Sequence, residues 1–199
     1  MNRSKISPYA SLNEELWISK TEELIKQHPL SEKEIVQLCL DSWENIFSSR
    51  IGNLQIGKNF FPSPQIVGAL LHALIPANIE ARFENWQGEK NKYDKDIVYI
   101  KDDYYSIELK TSSDPKYIFG NRSYAQPQDG ITGKSKNGYY LTINFEKFMP
   151  DLKLRPEIKI IRFGWLDHTD WVAQTAATGQ QARLSPQAYR SKLKILYQK

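Results

Sequence analysis

The sequence is poor in the residues that several common chemistries need. It holds one cysteine and three histidines in 199 residues, with no internal repeat and no low-complexity segment. A lone cysteine excludes an internal disulfide and a cysteine-built zinc site. Cys39 lies in Ile35-Val36-Gln37-Leu38-Cys39-Leu40, where a small packed hydrophobe fits better than a nucleophile. His28, His72 and His168 have no metal-ligand spacing, and His72 reads as a helix-face or core residue rather than a base. No apolar run approaches the ~18 residues of a membrane span, and the polar N-terminal stretch lacks the apolar core of a signal peptide. A cytoplasmic location with no membrane partner is therefore expected. Gly133-Lys134-Ser135 matches the end of a P-loop, but Gln128 occupies the position of the leading glycine, which excludes nucleotide binding there.

What is present is enough for one domain with a proper core, since hydrophobic residues make up 40% of the chain. The net charge of +4 is unevenly spread: residues 1–111 hold 13 Lys and Arg against 16 Asp and Glu, and residues 112–199 hold 14 against 7. Attraction of the basic half to a polyanion is the functional reading of this asymmetry, and a merely soluble basic surface is the other. Residues 12–28 read as an amphipathic helix carrying Leu12, Leu16, Leu24 and Ile25. A second helix begins near Ser31, which forms a capping-box pattern with Glu34, and runs to about Ser49. Its apolar positions Ile35, Leu38, Trp43, Ile46 and Phe47 suggest one buried stripe. Pro62 and Pro64 introduce a third helix, from Gln65 to Leu74, ended by Pro76. Strands are expected at about 138–145 and 157–166, and residues 185–199, opening with Ser-Pro, fit a basic terminal helix. Helices first and strands in the middle predict an α/β fold with a central mixed β-sheet flanked by helices. Residues 1–76 would be its mainly helical part, 77–170 its sheet and 171–199 a C-terminal part, all within one domain.

The segment from Lys95 to Lys110 carries the most chemistry. Ile97 to Ile100 and Tyr104 to Leu109 have strand composition, and Lys101-Asp102-Asp103 between them fits a three-residue hairpin loop. In that ladder Ile100 faces Tyr104, Val98 faces Ser106 and Asp96 falls opposite Glu108, with Cβ atoms roughly 4.5–5.5 Å apart. Alternation puts Lys110 on the face of Glu108, and Ile107 and Leu109 on the other. Two opposed acids repel, and a divalent cation is the simplest offset. Magnesium takes oxygen ligands and keeps several waters, so Asp96, Glu108 and the Leu109 carbonyl suit it, with Mn²⁺ as a substitute. Such an ion would polarise a scissile phosphate, while Lys110 would orient or help deprotonate the attacking water and neutralise developing charge. The same spacing also fits a solvated hairpin face. Context favours chemistry, because Glu108-x-Lys110 lies inside an apolar strand and is followed by Thr111-Ser112-Ser113. Asp94 shares the face of Asp96, opposite Lys110, so it is either a salt-bridge partner or the first ligand in a register slipped by two. Glu80 is a further candidate ligand, and equally a surface charge beside Arg82.

An Asp, a variable gap and Glu-x-Lys on adjacent strands resembles the PD-(D/E)xK nucleases, which include most type II restriction endonucleases. Lys95 stands where that pattern has proline, a variable position. Downstream, Ile118-Phe119-Gly120-Asn121-Arg122-Ser123-Tyr124-Ala125-Gln126 and then Lys136-Asn137-Gly138-Tyr139-Tyr140-Leu141-Thr142-Ile143-Asn144-Phe145 resemble the stretch after the catalytic strand in ScaI-like restriction enzymes, which cut DNA to blunt ends. The motifs together span roughly residues 80 to 146. The resemblance implies a restriction-endonuclease-like core, catalytic roles for Asp96, Glu108 and Lys110, and a magnesium requirement. It also implies double-stranded DNA cut at a short palindrome, a homodimer whose two-fold axis mirrors that palindrome, and a cognate DNA methyltransferase. A structure- or damage-specific nuclease of the same fold is an alternative. So is a non-catalytic DNA-binding module in which the acids only form a salt-bridged hairpin.

Two clusters have the side chains that read DNA. Asn121, Arg122, Ser123 and Gln126 are interleaved with Tyr124, and Arg can grip guanine while Asn or Gln can grip adenine. Gln174, Thr175, Thr178, Gln180, Gln181 and Arg183 surround Gly179 in the second. Lys134 and Lys136 suit phosphate contact, as do Ser112 and Ser113 at the end of the active strand. Either cluster also fits a turn whose side chains only cap backbone groups.

Overall fold

The computed structural model describes residues 6–126, 135–149, 155–176 and 178–199. After a single 3-10 turn at Glu14–Leu16, helix α1 spans Trp17–Gln27 and α2 spans Glu32–Ser48. The α2 start is the expected capping box: Glu34 N donates to Ser31 Oγ, and Ser31 N donates to Glu34 Oε2 at 2.7 Å. Its five expected stripe residues are all buried. A small hairpin of β1 (Arg50–Ile51) and β2 (Leu54–Gln55) leads to α3 (Pro64–Arg82). Helix α3 therefore does not end at Pro76 but continues through it. An interior proline removes one helical hydrogen bond and crowds the carbonyl four residues back, at about 3 kcal/mol. Tertiary contacts of the last turns offset this: Ile79 is fully buried, Asn78 Nδ2 donates to Ser42 Oγ at 2.8 Å, and Arg82 pairs with Asp41 at 2.7 Å. Among the described residues no helix is long and apolar enough to cross a membrane.

The remaining strands are β3 (Trp86–Gly88), β4 (Ile97–Tyr99), β5 (Ile107–Ser112), β6 (Phe119–Asn121), β7 (Gly138–Phe145), β8 (Ile158–Leu166), β9 (Trp171–Ala173), β10 (Gln181–Leu184) and β11 (Lys194–Gln198). Six of them form a mixed sheet in the order β11-β8-β7-β5-β4-β3, in which β5 and β7 run parallel and the other neighbours antiparallel. The connection from β5 to β7 contains β6, which joins β10 and β9 in a second sheet ordered β6-β10-β9. The expected basic terminal helix is limited to α4 (Pro186–Ser191), and β11 follows as an edge strand on β8. Two features stop that helix. The Lys192 ammonium is drawn into a buried acid pair, and Gly164 of β8 admits the Lys192 backbone so closely that a Cβ there would lie 2.0 Å from its carbonyl oxygen.

Strand alternation divides the interior in two. Odd-numbered residues such as Ile107, Leu109, Tyr139, Leu141, Phe163 and Trp165 share one cluster with Leu24 and Ile25 of α1, Ile35 and Leu38 of α2, and Leu71 and Ile75 of α3. On the opposite face, Tyr140 and Leu166 pack with Ile118, Trp171, Ala182, Leu184 and Ala188, from the small sheet and α4. That face also holds buried polar residues: Glu108, Thr142, Asn144 and Arg162, the last donating to Asn144 Oδ1 at 2.7 Å.

His28 sits in the first cluster among the rings of Trp86, Tyr105, Tyr139 and Phe163. Its ring nitrogens bond within the backbone, Nε2 to Tyr105 O at 3.0 Å and Nδ1 to Leu30 N at 3.2 Å, which suits a neutral imidazole. Burial lowers its pKa to about 4. The unfolded chain thus takes up this proton near pH ~6.5 while the folded protein does not until about pH 4. The stability contribution is complete above the unfolded value and is lost as pH falls through the folded one, about 3 kcal/mol in all. Replacing His28 by glutamine, which does not titrate, is expected to flatten that dependence. Urea unfolding at about pH 7.5 and about pH 4.5 measures it, and equal pH dependence in both proteins would remove His28 as the cause.

Candidate active site

The expected ladder is present at its one bridged pair, Ile97 opposite Ile107, with Asp96 one residue before β4 and Glu108 the next residue along β5. The turn is longer than the expected three residues. Strand β4 ends at Tyr99, β5 begins at Ile107, and Asp103–Tyr105 wind into a 3-10 turn. Asp102 causes this locally: its carboxylate accepts from Tyr104 N at 3.0 Å, offering the backbone an alternative to the ladder. Ser106 Oγ then accepts from Tyr99 N at 3.0 Å, closing the hairpin through a side chain.

Four groups converge at the β4–β5 edge. Asp96 Oδ2 accepts from Leu109 N at 2.6 Å. Glu108 Oε1 accepts from Lys110 Nζ at 2.7 Å and from the Tyr124 hydroxyl at 2.5 Å. Lys110 Nζ also donates to Leu109 O at 3.0 Å and stands 4.7 Å from the centre of the Tyr124 ring. The Glu108 side chain is 3% exposed, against 13% for Lys110 and 15% for Asp96, so solvent reaches the cluster from the lysine and aspartate side. His72 of α3 completes the surroundings, with Nδ1 4.0 Å from Asp96 Oδ2. The donor set is two carboxylates and a backbone carbonyl, which fits a hard cation that keeps part of its water shell. Among the described residues there is no group of three or more His, Cys, Asp and Glu side chains that could hold a metal ion.

Other expected site residues lie in different surroundings. Asp94 accepts from the backbone N–H groups of Lys90 and Asn91, both at 2.9 Å, and so caps the loop before the hairpin rather than facing Lys110. Glu80 accepts from Gly88 N and Lys90 Nζ, each at 3.3 Å. Ser112 and Ser113 are half-buried at the end of β5, with Ser112 Oγ accepting from Asp114 N at 3.1 Å. Lys134 lies outside the described residues.

The two polar clusters, far apart in sequence, form one surface. Asn121 pairs with Gln181, and Phe119 with Arg183, across β6 and β10; Arg183 in turn pairs with Val172 of β9. All five of these side chains are on the exposed face of the small sheet, whose other face packs inward through Ala182 and Leu184. The β9–β10 hairpin and Phe119 line a cavity of about 870 Å³, with exposed Gln174, Thr178 and Gln180 at its turn. Arg122 is spent on shaping that turn: its backbone N–H donates to Gln180 O at 2.7 Å, and Nη1 to Gly179 O at 3.2 Å. Lys136 Nζ donates to Ser123 O, and Gln126 is exposed beside it.

Two neighbours of the cluster have roles that sequence reasoning did not assign. Tyr124, grouped by its position with the DNA-contact residues, has its hydroxyl on Glu108. His72, read as a helix-face residue, approaches Asp96. The only local hint for the latter is Gly68, one turn earlier, whose missing Cβ lets α3 close onto Thr111 Oγ1; a Cβ there would lie at 2.9 Å.

The chain as a whole is similar to known proteins. A family model described as ScaI restriction endonuclease matches residues 7–197. The protein named type II restriction enzyme ScaI, from Streptomyces caespitosus, is 47% identical over 179 residues, covering 89% of this chain and 79% of that protein. No solved structure is matched. With a match that runs through nearly its whole length, the chain belongs to the ScaI restriction endonuclease family.

Proposed function

We propose that the protein is a magnesium-dependent type II restriction endonuclease of the PD-(D/E)xK kind, which cuts both strands of DNA at a short palindrome. The observation that carries this reading is the convergence of Asp96, Glu108, the Leu109 carbonyl and Lys110 at one strand pair. Asp96, Glu108 and Leu109 O would hold Mg²⁺, which when bound supplies Lewis-acid polarisation of the phosphate and a more acidic water. The protein's own part is positional and electrostatic. Leu109 N fixes the Asp96 carboxylate, and Lys110 holds an ammonium between Glu108 and Leu109 O. From there it can donate to a phosphate oxygen as negative charge develops. Asp96 and Lys110 form the side open to water and therefore the side that substrate enters.

The exposed face of the small sheet supplies the reading surface in this proposal. Arg183 would address guanine, and Asn121, Gln181, Gln180 and Gln174 adenine, with Thr178 at the turn. Ser112, Ser113, Ser123, Gln126, Lys136 and Lys134 would meet phosphate and sugar, and Arg122 would act through the turn it braces. A homodimer presents two such surfaces to the two halves of a palindrome, and a cognate methyltransferase would protect the same site in the cytoplasm.

Incubation of a long DNA with the purified protein tests this directly. Discrete fragments in Mg²⁺, none in EDTA, and a palindrome at the sequenced ends are expected. A smear would instead indicate a structure- or damage-specific nuclease. Sequence-specific binding in EDTA without cleavage in Mg²⁺ or Mn²⁺ would reduce the protein to a binding module.

A further inference from the structure

We infer that Tyr124 is a positioning residue for Glu108, and that it ties the orientation of this carboxylate to the segment that carries the DNA-contact residues. The inference rests on the active-site reading above and adds a residue to it. Its hydroxyl donates to Glu108 Oε1 at 2.5 Å, and its ring lies beneath the Lys110 ammonium at 4.7 Å. One side chain thus touches both charged partners of β5. A carboxylate that must serve an ion needs its rotamer held by groups behind it, and such supporting bonds are commonly worth 10- to 100-fold in metal affinity or activity.

The tyrosine is itself held from several directions. Its ring packs against Trp171 at 5.2 Å. Gly120 leaves room for it, since a Cβ there would meet the Tyr124 ring at 3.3 Å and Trp171 at 3.1 Å. Tyr124 stands on the 3-10 turn Arg122–Ala125, whose first residue is bonded to the 179–180 turn and whose Ser123 carbonyl receives Lys136. A displacement of the β9–β10 turn or of Lys136 therefore acts on the turn that carries the phenol. Hydrogen bonding and packing join the reading surface to Glu108 through a path of two residues, Arg122 and Tyr124.

The test compares the unaltered protein with Tyr124→Phe, which keeps the ring and removes only the hydroxyl. Mn²⁺ binding is followed by electron paramagnetic resonance, with and without a duplex carrying the cleaved sequence. Affinity for that duplex is measured in Ca²⁺, and cleavage is measured over a Mn²⁺ series. Mn²⁺ affinity is expected to fall about tenfold, and the half-saturating Mn²⁺ for cleavage to rise by a similar factor, with duplex affinity unchanged. Cleavage should recover at high Mn²⁺, which a general packing defect would not allow. Equal Mn²⁺ affinity in the two proteins would overturn the inference while leaving the active site in place. Failure of the unaltered protein to bind Mn²⁺ would overturn the active site, and this inference with it.

Discussion

Replacement of Glu108 by glutamine is expected to lower DNA cleavage about a thousandfold, corresponding to the loss of about 4 kcal/mol of transition-state stabilisation. The substitution keeps the shape of the side chain, so the Lys110 and Tyr124 hydrogen bonds retain an oxygen acceptor. What it removes is the negative charge that an ion needs and that the Lys110 ammonium faces at 2.7 Å. The defect should appear in the single-turnover rate and not in DNA affinity, because less negative charge at the site favours a polyanion. Glu108→Ala is a poorer probe, since it also leaves a void and deprives two half-buried donors, Lys110 and Tyr124, of their partner. Cleavage by Glu108→Gln within tenfold of the unaltered protein, with the same unfolding midpoint, would sink the assignment.

The largest effect on stability is expected at Lys192. Its ammonium is buried between Asp167 and Asp170, at 2.9 Å from Asp167 Oδ2 and from both oxygens of Asp170. Trp165 Nε1 and Ser7 Oγ donate to the same Asp167, and the rings of Tyr9 and Trp17 lie 4.5 and 4.4 Å from the ammonium. Removing one partner of a buried pair leaves the other charge uncompensated, which costs about 3–5 kcal/mol. Lys192→Met should lose that much at neutral pH, a large share of the roughly 5–15 kcal/mol that holds a domain together. Burial already pushes the Asp170 carboxyl above its ordinary value, with Lys192 acting against that shift. Without the lysine, Asp170 protonates more readily in the folded protein, so the deficit relative to the unaltered protein should shrink as pH falls. Denaturant unfolding of both proteins across that range measures it. A deficit below about 1 kcal/mol would mean that the pair is not effectively buried.

Sequence was a good guide wherever the deciding physics was local. The Ser31–Glu34 box placed the start of α2, and β7 and β8 were expected almost to the residue because both stretches are rich in Tyr, Ile and Phe. The register that sets Ile97 opposite Ile107 was legible from the composition of the two strands, although the turn between them is longer than the expected three residues. The departures have non-local causes. Helix α3 passes Pro76 because α2 grips its last turns, and β11 replaces a helix because β8 offers an open edge beside Gly164. In the same way, Tyr124 and His72 meet the acids only through a second sheet and a helix that no spacing rule joins to residues 96 and 108.

The parallel pairing of β5 and β7 carries one more consequence. Parallel neighbours need a long crossover, and here that crossover contains β6 and the turn with Tyr124. In the proposed reading, the stretch that would carry base contacts is therefore pinned at both ends, to β5 and to its neighbour β7. Drift in specificity and preservation of cutting are not independent in such an arrangement. Attempts to retarget the enzyme by exchanging residues 119–126 should lose rate before they gain a new site. Exchanges confined to the exposed side chains of β10, which lies outside the crossover, offer the safer route.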